Sequence, residues 1–279
     1  SVGSTIDGGF IFAGESQGEP VNGRDYWAVK TDADGNEEWK QRYIDGTTVK
    51  YIKQTSDNGY AIIGDGNSND ILFIKTDASG AEQHRVRYIN EDASYGQMWS
   101  ASQTVDNGFI IAGGIHDINS ENNEDGILIK TDIDGNVEWQ DTYVYGNNSI
   151  FESVEQTMDG GYVASGVTTV EDIFNTWMVK TSSDGAEEWN NILPRILDYP
   201  VALFVHQLSA DRYVIAGSTS IDGTPGSSQA WVGIADIPSN DFVWNQMSNG
   251  LIYSASLSKG SGIILMGANN LAKSICLPE

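Results

Sequence analysis

A ten-residue pattern returns about every 50 residues along the whole chain and constrains its fold more than any other feature. The first copy runs from Thr5 to Gly14 as TIDGGFIFAG, and the third runs from Thr104 to Gly113 as TVDNGFIIAG. A fixed period of this length is typical of architectures that stack one supersecondary unit many times. Each copy ends in a closing glycine, and these are Gly14, Gly64, Gly113, Gly166, Gly217 and Gly267.

A second pattern follows the first in each of the first five repeats. Its first copy runs from Trp27 to Trp39 as WAVKTDADGNEEW, and its third runs from Ile127 to Trp139 as ILIKTDIDGNVEW. Asp-Gly and Asn-Gly pairs between short apolar runs favour tight hairpins, because both central residues tolerate positive φ. No run shows helical periodicity, so each repeat is predicted to contain four short antiparallel strands, a to d.

Repeated four-stranded units of this size predict an all-β six-bladed β-propeller with four-stranded antiparallel blades. The sixth repeat has no counterpart of strand d and its tryptophan, so the last blade is predicted to be incomplete. We predict a single domain over residues 1–279, with blades at approximately 1–46, 47–94, 95–146, 147–197, 198–248 and 249–279.

The two patterns together resemble the repeats of secreted or cell-surface bacterial and archaeal β-propeller proteins, and the resemblance extends over nearly the whole chain. The Thr-Asp-x-x-Gly-x-x-x-Trp half is also similar to the tryptophan-docking motif of quinoprotein propellers. The chain has six repeats rather than eight, no vicinal cysteine pair and few cations. The second resemblance therefore implies the fold and not the quinone cofactor.

Charge and cysteine content exclude several classes of function. The chain has 15 Lys and Arg against 39 Asp and Glu, for a net charge of −24. Nucleic acid is an unsuitable partner because phosphate binding needs clustered cations. No apolar run approaches the roughly 18 residues of a membrane span, so no membrane insertion is expected. The single cysteine, Cys276, excludes an internal disulfide. We expect a monomer that is extracellular or at the cell surface, with its signal peptide already removed.

Loops on one side of the predicted propeller vary, whereas the a–b and c–d turns on the other side are short and nearly constant. Variable loops on a rigid scaffold are where binding residues tend to lie. Counting back from the closing glycines gives a mixed rim at the channel mouth, which we predict to bind a polar ligand such as a sugar stacked on Trp99. The rim candidates are Lys50, Trp99, Glu152, His206 and Tyr253.

A second row, two residues after the first, is apolar in every repeat and is predicted to pack between blades. Its members are Val2, Ile52, Ala101, Val154, Val205 and Ala255. Glu152 and Glu155 are three residues apart on one strand, so regular alternation would place them on opposite faces.

Acidic turns raise the question of a metal site. The Asp-x-Asp-Gly-Asn runs contain Asp32, Asp34, Asp132 and Asp134, and they are similar to calcium loops, which gather carboxylate and carbonyl oxygens. Turn chemistry explains the same residues, and the later glutamate of an EF-hand is missing. Calcium is therefore the one cofactor left open, with Glu155 as a further candidate ligand, and no other cofactor is expected.

Residues repeated in blade after blade are predicted to serve the blade rather than a site. Lys30, Lys75, Lys130 and Lys180 are interpreted as ties between strands, and Trp39, Trp139, Trp189 and Trp244 as docking residues. Blade 2 has His84 in place of the docking tryptophan. Since indole buries more apolar area, His84→Trp is predicted to stabilise the protein by about 1 kcal/mol if the ring fits.

Three functional hypotheses follow. The first is a non-catalytic binding or adhesion propeller, exported or at the cell surface, with a glycan or protein ligand on the variable-loop face. The second is a calcium-assisted six-bladed hydrolase or lactonase, and the third is a structural module of a larger surface protein. No catalytic motif such as G-x-S-x-G or H-E-x-x-H is present.

Overall fold

The computed structural model of the chain describes residues 1–17, 24–88, 93–117, 124–193, 200–220, 228–237, 241–249, 252–258, 262–267 and 272–276. The regular structure in these residues is all β-strand, and none of them forms a helix long and apolar enough to cross a membrane. The chain divides into two compact units, Ser1–Thr142 and Tyr143–Glu279.

The first unit contains three four-stranded antiparallel sheets, in each of which the strands lie side by side in chain order. Sheet 1 comprises β1 (Val2–Ser4), β2 (Phe10–Gln17), β3 (Arg24–Thr31) and β4 (Glu37–Tyr43). Sheet 2 comprises β5 (Gly46–Gln54), β6 (Tyr60–Gly66), β7 (Ile71–Thr76) and β8 (Glu82–Tyr88). Sheet 3 comprises β9 (Ala93–Gln103), β10 (Phe109–Asp117), β11 (Glu124–Thr131) and β12 (Val137–Tyr143), whose last residue falls in the second unit.

The second unit contains two further four-stranded sheets and one three-stranded sheet of the same order. Sheet 4 comprises β13 (Ser149–Gln156), β14 (Tyr162–Val170), β15 (Ile173–Thr181) and β16 (Glu187–Ile192). Sheet 5 comprises β17 (Val201–Ser209), β18 (Arg212–Ser220), β19 (Ser228–Asp236) and β20 (Asp241–Asn249). Sheet 6 comprises β21 (Ile252–Ser258), β22 (Gly262–Gly267) and β23 (Ala272–Cys276). The all-β class and the four-stranded antiparallel repeat are confirmed for the first five repeats.

The turn between the first two strands of sheets 1 to 4 explains why its sequence recurs. In sheet 2, the Asp57 carboxylate accepts hydrogen bonds from the Gly59 N–H at 3.0 Å and the Thr55 hydroxyl at 2.5 Å. Asn58 takes the left-handed conformation with φ of 67°. A Cβ on Gly59 would lie 2.0 Å from the Thr76 carbonyl oxygen, so only glycine fits there.

The repeated lysine ties this turn to the rest of its sheet. Lys75 is 1% exposed, and its Nζ lies 2.6 Å from the Asp57 carboxylate. In sheet 1, Lys30 binds both Asp7, at 2.8 Å, and Glu38 on the fourth strand, at 2.6 Å. Lys130 and Lys180 repeat the arrangement with Asp106 and Glu138, and with Asp159 and Glu188. The predicted ties between strands are confirmed.

These ion pairs make the free energy of unfolding depend on pH in the acid range. Burial disfavours the charged form of Asp57, but hydrogen bonds from Lys75, Thr55 and Gly59 outweigh it and lower the pKa to about 2. Because this pKa lies below its usual value of 3.8, the stabilisation is complete above about pH 4 and is lost as the pH falls through about 2. We expect denaturant unfolding to show a smaller loss of stability over this window for Asp57→Asn than for wild type. Asp34→Asn is the control in an exposed turn, and equal pH slopes for wild type and Asp57→Asn would contradict the assignment.

The number of carboxylates bound to each buried lysine predicts how strongly the loss of one carboxylate destabilises the protein. Asp57→Asn leaves the buried Lys75 with a backbone carbonyl at 3.2 Å, whereas Asp106→Asn leaves Lys130 with Glu138 at 2.7 Å. A buried charge that loses its partner destabilises the folded state. We therefore expect Asp57→Asn to lower the free energy of unfolding more than Asp106→Asn, as measured by urea titration at neutral pH. Equal losses would show that the second carboxylate contributes nothing.

The repeated tryptophan docks one sheet against the next. Trp39 of sheet 1 packs edge-on against Tyr60 of sheet 2, with ring centroids 5.3 Å apart, and donates from Nε1 to the Ala78 carbonyl at 3.2 Å. Nearby, the Tyr43 hydroxyl donates to the Gly80 carbonyl of sheet 2 at 2.7 Å. Trp189 of sheet 4 packs in the same way against Tyr213 of sheet 5. The docking role is thus confirmed for Trp39 and Trp189; the side chain of Trp244 lies outside the described residues.

Sheets 2 and 3 dock through a different residue. Phe73, on the third strand of sheet 2, is fully buried and packs edge-on against Phe109 of sheet 3 at 5.5 Å. A Cβ on Gly135, in the following turn of sheet 3, would lie 2.5 Å from the Phe73 ring. His84 itself is exposed. Phe73 therefore fills the space where the missing tryptophan would dock.

The two interfaces show a compensating exchange. Lys30 pairs with Trp39 and Lys75 with His84, so Trp39 and His84 occupy equivalent positions. Counting from the same lysines, Phe73 is the counterpart of Ala28. Sheet 1 therefore combines a small residue on its third strand with an indole on its fourth, whereas sheet 2 combines a large residue with an imidazole. The predicted gain from His84→Trp was conditional on the ring fitting, and because Phe73 already packs against the turn at Gly135, we now expect no gain from this substitution alone.

The apolar row predicted to pack between sheets does so, with one exception. Ile52, Val154 and Val205 are between 2% and 4% exposed. Val2 is 61% exposed, so the prediction is wrong for this residue. Val2 pairs with Phe12, which is 44% exposed, on the side of sheet 1 opposite the one that packs against sheet 2.

Candidate functional site

The first strands of sheets 2 to 6 share a β-bulge opposite the closing glycine. In sheet 2, Val49 pairs with Gly64 and Tyr51 pairs with Ile63, which leaves Lys50 without a partner in the ladder. A bulge turns the extra side chain in a new direction, and bulges are frequent beside functional sites. The bulged residues are Lys50, Trp99, Glu152, Leu203 and Tyr253.

The closing glycine is needed for the bulge to form. A Cβ on Gly113 would lie 2.0 Å from the Gln97 carbonyl oxygen, and a Cβ on Gly166 would lie 1.9 Å from that of Ile150. The bulged strand approaches the glycine backbone so closely that no side chain fits. Four of the five predicted rim residues are bulged residues, and the fifth, His206, lies on the first strand of sheet 5.

The bulge also changes which residues share a face. Val49 and Ile52 are three apart, yet both pack against the core formed between sheets 1 and 2. Tyr51 packs against the opposite core, between sheets 2 and 3. The expectation that Glu152 and Glu155 point to opposite faces assumed regular alternation, and the bulge at Glu152 interrupts that alternation.

Two predicted rim residues come together in the first unit. The Lys50 ammonium lies 4.4 Å from the centroid of the Trp99 ring. This is a cation–π contact between bulged residues of neighbouring sheets. Trp99 is 39% exposed, so a large part of the indole remains accessible to solvent.

Asp65 lies beside this pair and was not among the predicted site residues. It follows the closing glycine Gly64 directly, and its Oδ1 accepts a hydrogen bond from the Met98 N–H at 2.9 Å. Burial raises the pKa of Asp65, and this effect exceeds the opposing influence of the Met98 hydrogen bond and of Lys50. The signal that could have found Asp65 is its position directly after a closing glycine.

A polar cleft of about 240 Å³ extends from Asp65. At its edge the Arg24 guanidinium lies 3.3 Å from Glu15, which also accepts a hydrogen bond from the Thr48 hydroxyl at 3.5 Å. Hydroxyls, amides and peptide groups of this kind both donate and accept, as binding of a hydroxyl-rich ligand requires. The cleft is lined by Arg24, Thr47, Thr48, Asp65, Gly66, Asn67, Asn69, Gly96 and Gln97.

The second unit brings two other candidates together. Nδ1 of His206 lies 2.9 Å from Oε2 of Glu155, and the other oxygen of Glu155 accepts the Gln207 N–H at 2.5 Å. Both Glu155 oxygens therefore bind the neighbouring sheet. Glu152 is partly buried on the same strand as Glu155, and the side chain of Tyr253 lies outside the described residues.

The acidic turns use their carboxylates internally. Asp32 Oδ1 accepts the N–H groups of Asp34 and Asn36 at 2.9 and 2.8 Å, and Oδ2 accepts the Asn36 side-chain amide at 2.8 Å. Asp132 repeats this pattern in the turn that contains Asp134. Within the described part of the chain, no three His, Cys, Asp or Glu side chains are grouped to hold a metal ion. Calcium remains a prediction.

Comparisons with known proteins extend to the fold alone. No protein-family model and no curated protein matches the chain. The apocarotenoid oxygenase of Synechocystis is a similar solved structure, with 10% identity and a TM-score of 0.58 over 97% of this chain and 74% of the oxygenase. A puromycin hydrolase is similar at 12% identity and a TM-score of 0.57, over 98% of this chain and 42% of the hydrolase. At such low identity these likenesses concern the path of the backbone and not the chemistry.

Proposed function

We propose that the six sheets are the blades of one six-bladed β-propeller, a member of the secreted or cell-surface kind that its repeats resemble. The proposal is supported by the common strand order of all six sheets and by the bulge that recurs in five of them. The three-stranded sheet 6 is then the incomplete last blade.

We further propose that the protein is a non-catalytic binding module, exported or at the cell surface, whose ligand is a glycan. One observation carries this function: the partly exposed Trp99 indole lies against Lys50, beside the polar cleft at Asp65. A flat aromatic face next to hydrogen-bonding groups suits a sugar ring, which has apolar C–H faces and polar edges. The strongly acidic composition is compatible with an extracellular location.

A glycan array followed by calorimetry tests this proposal. We expect Trp99→Ala to weaken binding of the selected glycan at least about 10-fold, equivalent to about 1.4 kcal/mol, because the stacking surface is removed. Trp99→Phe should retain part of the affinity. Tyr145→Ala, at a similarly exposed aromatic residue, is the control and should bind like wild type.

Other outcomes would replace the proposal. Binding of a protein but of no glycan would make the partner a protein. Hydrolase turnover that disappears with EDTA would instead support the calcium-assisted enzyme. Glycan binding that Trp99→Ala leaves unchanged would remove this site from the proposal.

A further inference from the structure

Most of the Lys and Arg side chains in the described part of this acidic protein form ion pairs with carboxylates. Five of the described lysines and four of the described arginines form ion pairs within 4.0 Å. Among the described residues with described side chains, Lys50, Lys53 and Arg212 have no carboxylate at that distance. Two of these three, Lys50 and Lys53, lie on the same strand, β5.

Lys50 and Lys53 also lie on the same side of that strand. Lys50 contacts Trp99 of sheet 3. Lys53 alternates with Ile52, which packs towards sheet 1, so Lys53 lies on the side towards sheet 3 and is exposed. The bulge at Lys50 produces this arrangement, since a regular strand would place residues three apart on opposite faces.

A pair of ammonium groups without acidic partners attracts an anion. Asp65 is close enough for the charge of Lys50 to lower its pKa, but Asp65 is partly buried and its carboxylate binds the Met98 N–H. The net charge of −24 repels anions at long range, but screening limits this repulsion to about 8 Å at physiological ionic strength. At contact distance the two lysines therefore determine which ligand is favoured.

We propose that the ligand is an acidic glycan whose sugars carry carboxylates, as uronic acids do. The carboxylate pairs with Lys50 and Lys53, the ring stacks on Trp99, and the neighbouring hydroxyls enter the cleft at Asp65. This inference rests on the proposed glycan-binding function and adds the charge of the sugar. The cation–π contact then has two roles. Lys50 holds the Trp99 indole in place, and its ammonium group also pairs with the carboxylate of the sugar.

The experiment compares a short oligogalacturonate with its methyl ester, which has the same length and stereochemistry but no charge. We expect the acid to bind at least about 10-fold more tightly, and its affinity to fall as salt is raised. Lys50→Gln and Lys53→Gln should each weaken binding of the acid, and the double variant should bind acid and ester equally. Lys40→Gln, an exposed lysine on β4 paired with Glu37, is the control and should change nothing.

Different results would contradict the acidic nature of the glycan and the glycan-binding function itself. Equal binding of acid and ester by the wild type would overturn the acidic glycan while leaving a glycan-binding function in place. Preference for a sulfated galactan over the oligogalacturonate would overturn the carboxylate assignment. An array with no glycan binding of any kind would remove the proposed function itself.

Discussion

Gly166→Ala should lower the free energy of unfolding by at least about 3 kcal/mol, at the upper end of the usual cost of overpacking. The added Cβ would lie 1.9 Å from the Ile150 carbonyl oxygen and 2.8 Å from the Phe151 Cα, and both are backbone atoms that cannot rotate away. Either the bulge at Glu152 or the ladder beside it must break. Chemical denaturation monitored by tryptophan fluorescence measures the loss.

Gly14→Ala is the matched control for this substitution. Gly14 is the closing glycine of sheet 1, but no heavy atom lies within 4 Å of its potential Cβ. It has the same place in its repeat as Gly166, but no described residue lies opposite it at the position of the bulge. We expect a change within about 0.5 kcal/mol, as for an ordinary surface substitution. Similar losses at Gly14 and Gly166 would show that the glycines are needed for some reason other than the bulge.

Phe73→Ala should cost about 3–5 kcal/mol, the usual range for deleting a buried phenylalanine ring. The ring is fully buried between Phe109 and the turn at Gly135, so its loss opens the interface between sheets 2 and 3. Adding His84→Trp to Phe73→Ala should recover part of the loss, because the pair then reproduces the small residue and indole of sheet 1. His84→Trp alone should bring no gain.

A large residue introduced on the third strand of sheet 1 tests whether that position and the docking tryptophan share one space. Ala28→Phe would place a large ring on the third strand of sheet 1 while Trp39 still occupies the docking position. We expect overpacking to cost about 1–3 kcal/mol. A thermodynamic cycle over Phe73 and His84 measures their coupling, and additive effects of the two substitutions would show that they do not share one space.

The sequence predicted the blades well because their determinants are local. Asp-Gly and Asn-Gly turns, alternating apolar strands and a repeated Trp each act within a few residues, and each recurs in several copies. The rim was predicted only as a row of positions. Its bulges depend on how closely one backbone approaches another, and no residue type encodes an unpaired position. The same limit explains why Lys50 and Lys53 share a face unexpectedly.

The repeat pattern also did not show which faces of the sheets are exposed to solvent, or that a residue on one strand compensates for a residue missing on another. Val2 has the same place in its repeat as Ile52, but the side of sheet 1 on which it lies is exposed. His84 looked like a defect because Phe73, which replaces the missing indole, lies on a different strand. Asp65 was missed because a residue that occurs in one repeat only leaves no periodic signal. Features that occur in only one repeat therefore cannot be predicted from the repeat pattern and are found only in the structure.

The bulge separates what each blade needs for folding from what it offers to a ligand. A residue without a ladder partner forms no cross-strand pair, so we expect its substitution to cost little stability, except at Leu203, which packs against the core between sheets 5 and 6. The five bulged positions already hold a cation, an indole, a carboxylate, an aliphatic chain and a phenol. Related scaffolds would diversify their specificity at these positions first, one substitution per blade, while glycine after glycine stays fixed opposite them.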